Sequence, residues 1–262
     1  MHFYPLFSGS SGNVSLVTAG DTRILIDAGL TGSAMAGALC ETGVDPKSIN
    51  ALLITHEHGD HVRGAGVFSR KYDVPVYANR GTWEAMSAQV GRIAPHNMRV
   101  FETNRDFYIQ NVNILPFKTP HDARESVGYT LECEGKRLCV MTDIGEADGR
   151  LLEAASGANL LLIEANHDVD MLKCGSYPYV LKRRILSSTG HLSNEAAGRV
   201  LAKLYLSGLK RAILGHLSRD NNTEALALAS VRAVLRGEDI DDSAFELSVA
   251  HRDRVSGCYE VL

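Results

Sequence analysis

Thr55-His56-Glu57-His58-Gly59-Asp60-His61 places three histidines and two carboxylates within six residues, directly after the apolar run Ala51–Ile54. Imidazole and carboxylate are the ligands of zinc, manganese and iron. On extended chain alternate side chains share a face, so His56 and His58 point the same way. Gly59 then allows a turn, and Asp60 and His61 can point back at a second place nearby. The spacing H-x-H-x-D-H is therefore suited to two cations.

Working outward, polar residues recur where apolar runs end. Asp27 follows Ile24-Leu-Ile, and His121 follows Ile114-Leu-Pro-Phe-Lys-Thr-Pro. Asp143 follows Leu138-Cys-Val-Met-Thr, His167 follows Leu160-Leu-Leu-Ile-Glu-Ala-Asn, and His216 follows Ala212-Ile-Leu-Gly. Strand ends converge at one edge of a sheet, and polar residues there line a site.

The strands expected from these runs are Asn13–Ala19, Thr22–Ile26, Ala51–Ile54, Val74–Tyr77, Met98–Phe101, Phe107–Phe117, Val127–Cys133, Arg137–Met141, Leu160–Glu164, Arg211–Leu214, Phe245–Ala250 and Cys258–Leu262. Helical patterns cover Ser33–Cys40, Val62–Lys71, Gly81–Gln89, Asn194–Ser207 and Thr223–Leu235, the last with Asn221-Asn222 as candidate caps. Strands flanked by helices in both halves imply a layered sandwich of class α/β. No linker or repeat divides residues 1–262, so one domain is expected.

With 45% hydrophobic and 22% charged residues and a net charge of -4, the 262-residue chain is neither disordered nor a basic tail protein. Any nucleic-acid contact must come from a local basic patch. No apolar run reaches the ~20 residues of a membrane span, and the amino-terminal segment does not read as a secretory signal. The five cysteines contain no CxxC pair. They read as free, mostly buried thiols of a cytoplasmic protein.

The cluster Thr55–His61 with Asp27, His121, Asp143 and His216 resembles the metallo-β-lactamase fold, an αββα sandwich of two mixed β-sheets flanked by helices. Four further motifs are similar to the YycJ (WalJ) branch of that superfamily. They are Phe7-Ser-Gly-Ser-Ser-Gly-Asn13, Glu164-Ala-Asn-His-Asp168, Gly190-His-Leu-Ser-Asn194 and Gly215-His-Leu-Ser-Arg-Asp-Asn-Asn222. The resemblance implies one metal on His56, His58 and His121, and a second on Asp60, His61 and His216. Asp143 would bridge them, and Asp27 would orient a ligand histidine or the Thr55–His61 loop. With no cysteine in these positions, manganese and zinc are both open, with iron behind. A hydroxide between two divalent cations is a nucleophile at neutral pH. The spare histidines His191 and His167 are the candidates to protonate the leaving oxygen, with His191 favoured by its hydroxyl-rich loop.

The branch implies a phosphodiesterase, a DNA exonuclease of 5′-to-3′ polarity, with DNA favoured over RNA as substrate. No spare block interrupts the motifs, so a separate nuclease cap domain is not expected. Ser8, Ser10, Ser11 and Asn13 could cradle phosphate, although the loop lacks the Lys-Ser/Thr element of a P-loop. Met171–Asn194 contains no acid but carries Lys182, Arg183 and Arg184, a patch suited to a polyanion. One alternative is a hydrolase of small esters or thioesters, similar to glyoxalase II or lactonases. Another is a metal-dependent binding module without catalysis, which the complete ligand set argues against.

Overall fold

Period-two alternation along the strands generates three apolar layers, seen in a computed structural model that describes residues 1–262. On the strand Thr22–Ile26 (β3), Ile24 and Ile26 face one core while Leu25 faces another. On Lys136–Met141 (β10), Leu138 and Val140 join the first core, and Cys139 and Met141 a third. Leu160–Glu164 (β11) divides in the same way: Leu160 and Leu162 point to one side, Leu161 and Ile163 to the other. A strand buried on both faces must be covered on both.

Two seven-stranded sheets satisfy that requirement by packing on one another. The first combines His2–Phe7 (β1), Val14–Ala19 (β2), β3, Ala51–Leu53 (β4), Val76–Asn79 (β5), Met98–Phe101 (β6) and Tyr259–Glu260 (β14), in the order β14-β1-β2-β3-β4-β5-β6. The second combines Phe107–Ile109 (β7), Val112–Lys118 (β8), Val127–Cys133 (β9), β10, β11, Arg211–Gly215 (β12) and Glu246–Val249 (β13), in the order β13-β12-β11-β10-β9-β8-β7. Both are mixed: β3 to β6 run parallel, as do β10 to β13.

Helices cover the outer faces. Gly32–Glu41 (α1), the single turn Gly59–Val62 (α2), Ala65–Tyr72 (α3) and Arg80–Val90 (α4) belong to the first sheet, where Met35, Leu39, Phe68 and Met86 pack on Leu25 and Leu52. Gly149–Ala155 (α5), Asn194–Leu206 (α8) and Glu224–Gly237 (α9) cover the second, with Leu151, Leu201, Leu204, Val231 and Leu235 on Leu161 and Ile163. Val169–Cys174 (α6) and Tyr179–Ile185 (α7) lie between β11 and α8 in sequence. The expected αββα architecture is what forms. No helix is long and apolar enough to cross a membrane.

Several expectations need correction. The run Phe107–Phe117 is a hairpin, not one strand: Gln110 turns at φ 52° and β7 folds back on β8. Thr22 fixes this turn by donating to Gln110 Oε1 at 2.7 Å. The helix expected over Val62–Lys71 breaks at Gly64, which passes so close to the Leu30 carbonyl that a Cβ would lie 2.1 Å from it. Thr223, not Asn221 or Asn222, caps α9 by accepting from the Leu226 N–H. Among the cysteines only Cys133 and Cys139 are buried; Cys40, Cys174 and Cys258 are exposed, lying outside the apolar faces that the strands turn inward.

Candidate metal centre

Three residues of the centre sit at strand ends in the left-handed backbone region: Asp27 after β3 (φ 63°), Asp143 after β10 (φ 55°) and His216 after β12 (φ 53°). Each turn costs of order 1 kcal/mol or more for a residue with a Cβ, and such strain persists only where the surroundings impose it. Here it redirects a side chain from the sheet interior to the shared rim. The His56–Asp60 segment arrives from β4. The Asp60 carbonyl then lies so near Gly29 that a Cβ there would be 1.7 Å away.

These elements bring every expected ligand to one place. Ligand atoms of His56, His58 and His121 lie within 4.8 Å of one another, and so do those of Asp60, His61 and His216. Asp143 joins the groups: its carboxylate is 3.2 Å from His61 Nε2, 3.5 Å from His216 Nε2 and 3.7 Å from His121 Nε2.

The ring orientations are held from behind. Asp27 Oδ2 accepts from His61 Nδ1 at 2.7 Å, and Asp27 Oδ1 accepts from the Thr55 N–H at 2.8 Å, so one carboxylate fixes both the histidine and its loop. The Gly190 carbonyl accepts from His121 Nδ1 at 3.1 Å. Glu164 Oε1 accepts from both His216 Nδ1 and His191 Nδ1, each at 2.7 Å. Donation through Nδ1 leaves Nε2 as the atom that His61, His121 and His216 turn toward Asp143. His56 Nε2, His216 Nε2 and Asp143 Oδ2 are buried with no hydrogen-bond partner. Buried polar atoms without a partner are costly unless something binds them. With an all-imidazole and carboxylate donor set, these residues fit divalent cations.

Charge compensation is dense. Burial pulls His61 down, but Asp143, Asp27 and Asp60 outweigh it and hold the imidazolium well above its usual range. His216 is buried as well, yet Asp143, Asp60 and Glu164 push it up to about 10. Despite burial, Asp60 falls to about 2 beside His61 and His216, and Glu164 to about 2 beside His191 and His216. Burial lowers His56 and His121. Protons on His61 and His216 thus offset part of the charge of the four carboxylates Asp27, Asp60, Asp143 and Glu164, and cations at these atoms would displace them.

Around the cluster opens a cleft of about 230 Å³ lined by Ser10, Tyr177, Arg184, His191 and Ser218 among others. Of the two candidate proton donors, only His191 reaches it, its side chain 17% exposed. His167 is 1% exposed and neither ring nitrogen has a partner. Burial drives its pKa down to about 4, so it is neutral near pH 7 and enclosed. Its backbone bridges Ser193 as part of the framework, which favours His191 of the two.

The candidate phosphate loop is also divided. Ser8 is buried and accepts from the His216 N–H at 2.8 Å, which makes it a backbone support. The Asn13 side-chain amide turns inward, 3.0 Å from His61 Nε2 and 3.5 Å from Asp60 Oδ2. Only Ser10 and Ser11 remain exposed. The basic patch divides too. Lys182 Nζ donates to the carbonyls of Lys173 and Gly175, each at 2.7 Å, and closes the end of α6. Arg184 clasps Asp122 at the rim beside His58 and His121. Arg183 alone is free, its guanidinium over the Tyr179 ring.

Glu164 had no role assigned from sequence. It ends an apolar strand, as Asp143 and His216 nearly do, and that position was the available signal.

Residues 22–217 match the family described as beta-lactamase superfamily domain. The chain is 38% identical over 248 residues to the exodeoxyribonuclease YycJ of Bacillus anthracis, covering 94% of each. It is 39% identical over 224 residues to the exodeoxyribonuclease WalJ of Streptococcus pneumoniae, covering 85% of this chain and 83% of that one. Among solved structures, the metallo-beta-lactamase fold protein YhfI of Bacillus subtilis superposes with a TM-score of 0.74 at 16% identity, over 97% of this chain and 98% of the other.

Proposed function

This chain belongs to the metallo-β-lactamase superfamily, and on that footing we propose that it is a cytoplasmic phosphodiesterase that uses two divalent cations, manganese or zinc, to remove nucleotides from DNA ends. The observation that carries the reading is the pair of ligand groups meeting at Asp143, in a chain 38% identical to an exodeoxyribonuclease along 94% of its length. The 5′-to-3′ polarity is the direction that the resemblance to that branch implies.

Bound cations would lower the pKa of an attacking water to about 7 and neutralise charge developing on the phosphoryl oxygens. The chain supplies the rest. Asp27, Glu164 and the Gly190 carbonyl aim their histidines by accepting from Nδ1. His191 is the proton donor in this reading. Burial opposes its protonation, but Glu164 at 2.7 Å and the Asp143 carboxylate raise its pKa. With Nδ1 committed to Glu164, Nε2 is the atom that would protonate the departing sugar oxygen. Ser10 and Arg184 line the cleft and are the groups this reading offers to a substrate phosphate.

The test is digestion of end-labelled DNA beside RNA, bis(p-nitrophenyl) phosphate and a thioester panel. DNA should yield mononucleotides, and His191→Ala should slow that reaction about 10²- to 10⁴-fold, the usual worth of a general acid. The same variant should lose far less on bis(p-nitrophenyl) phosphate, whose leaving group departs without a proton. Thioester turnover exceeding phosphodiester turnover would instead support the small-ester reading.

A further inference from the structure

Three further arginines lie outside the basic stretch Lys182–Arg184, around the loop that carries Ser10 and Ser11. Arg63 directly follows α2, the turn that carries Asp60 and His61, and its guanidinium reaches the Ser11 carbonyl at 3.5 Å. Arg252 lays its aliphatic stem against Gly9, where a Cβ would meet its Cγ at 2.9 Å, and donates to the Ser218 carbonyl at 2.8 Å. Arg219 is exposed beside Ser218. Ser10 and Ser218 both line the cleft with Asp60 and His216.

None of these three arginines pairs with a carboxylate; their contacts within the chain are to carbonyls. Two of the nearby acids accept other hydrogen bonds, Asp220 from the Tyr177 hydroxyl at 2.9 Å and Glu224 from His251 at 2.8 Å, while Asp253 is exposed and forms no ion pair with these arginines. Between the arginines, the backbone N–H groups of Ser10 and Ser11 have no acceptor within the chain. Three guanidinium groups without a carboxylate partner and two free N–H donors border this loop in a chain of net charge -4, a combination suited to an anion.

The cluster has two ends. Arg184 and Asp122 flank the His58/His121 end. The Asn13 amide and the Ser10–Ser11 loop flank the Asp60/His61 end.

We propose that Arg63, Arg219 and Arg252, with the Ser10–Ser11 backbone, form a phosphate-binding bank at the Asp60 end of the cluster. It grips the nucleic-acid strand where that strand continues past the linkage being cut. The inference rests on the nuclease reading above and adds which residues hold the polyanion, and where. A small ester would not extend to this bank; a phosphodiester chain crossing the cluster would.

The test is fluorescence anisotropy of the metal-loaded protein with a short labelled single-stranded DNA protected by phosphorothioate linkages, across a salt series. Each lost phosphate contact on a single strand flattens the log–log salt dependence by about 0.7. Arg63→Gln/Arg219→Gln/Arg252→Gln should therefore flatten it by about two units and weaken binding at least about tenfold at low salt. A charge-matched variant at Arg80, Lys136 and Lys203, all exposed on other elements, should keep the wild-type slope. If loss of the Arg252 stem prevents folding, Arg63→Gln/Arg219→Gln decides, with about 1.4 units expected from two contacts. Wild-type DNA binding with an unchanged slope in the bank variants would overturn the inference and leave the nuclease reading standing. A wild-type protein that neither binds nor digests DNA would remove both.

Discussion

Asp143→Ala should lower the rate on DNA by at least ~100-fold at saturating metal, and by more than any single histidine substitution. Each histidine serves one end of the cluster, whereas the Asp143 carboxylate lies within 3.7 Å of His121 at one end and of His61 and His216 at the other. Its removal takes a ligand from both places and leaves two cations less shielded from each other. Alanine is also a poorer occupant than aspartate of the left-handed conformation at this position (φ 55°). Asp143→Asn separates the effects, since it tolerates that backbone and keeps the shape while losing the charge. It should be nearly as damaged in kcat/KM and in bound metal. Activity within a few-fold of wild type in Asp143→Asn would remove the bridging role.

Glu164→Gln should be the next most damaging change, although Glu164 faces no substrate. Four donors converge on this fully buried carboxylate: His191 Nδ1 and His216 Nδ1 on Oε1, and the N–H groups of Ile144 and Leu192 on Oε2. An amide presents its NH2 to one pair or the other, so two donors lose their acceptor whichever way it turns. At ~1–3 kcal/mol for each buried donor left unpaired, stability should fall by about 2–6 kcal/mol, read from the urea midpoint. His216 loses the contact that fixes its ring, and metal affinity should drop about 10- to 100-fold. His191 loses the anion that raises its pKa, so DNA cleavage should slow beyond what added metal restores. Full rescue by excess metal would confine Glu164 to His216 and remove His191 from proton transfer.

The centre was legible where its chemistry is concentrated. His56, His58, Asp60 and His61 share one loop, and Asp27, His121, Asp143 and His216 each follow an apolar run, so residue type and position pointed the same way. Glu164 also ends such a run, but its work depends on His191 and His216, 27 and 52 residues away, and a sequence does not display that meeting. The basic stretch shows the opposite failure. Lys182, Arg183 and Arg184 look alike in sequence, yet Asp122, 62 residues upstream, engages Arg184 and two carbonyls take Lys182. The bank of Arg63, Arg219 and Arg252 was invisible because it comes from three separated loops. In the fold, unbroken apolar runs marked β3, β10 and β11 because both faces of these strands are buried. The β7–β8 hairpin escaped because its turn residues, Gln110 and Asn111, interrupt the apolar pattern for only two positions.

Titration of the metal-stripped protein with Mn2+ or Zn2+ shows whether it is a phosphodiesterase that works with two metals held around Asp143. Bound metal is counted while release of nucleotides from end-labelled DNA is followed in the same samples. Cleavage should depend on metal, rise with the second equivalent and level off at two per chain. Full activity at one equivalent, or two bound equivalents with no cleavage of DNA, would contradict it.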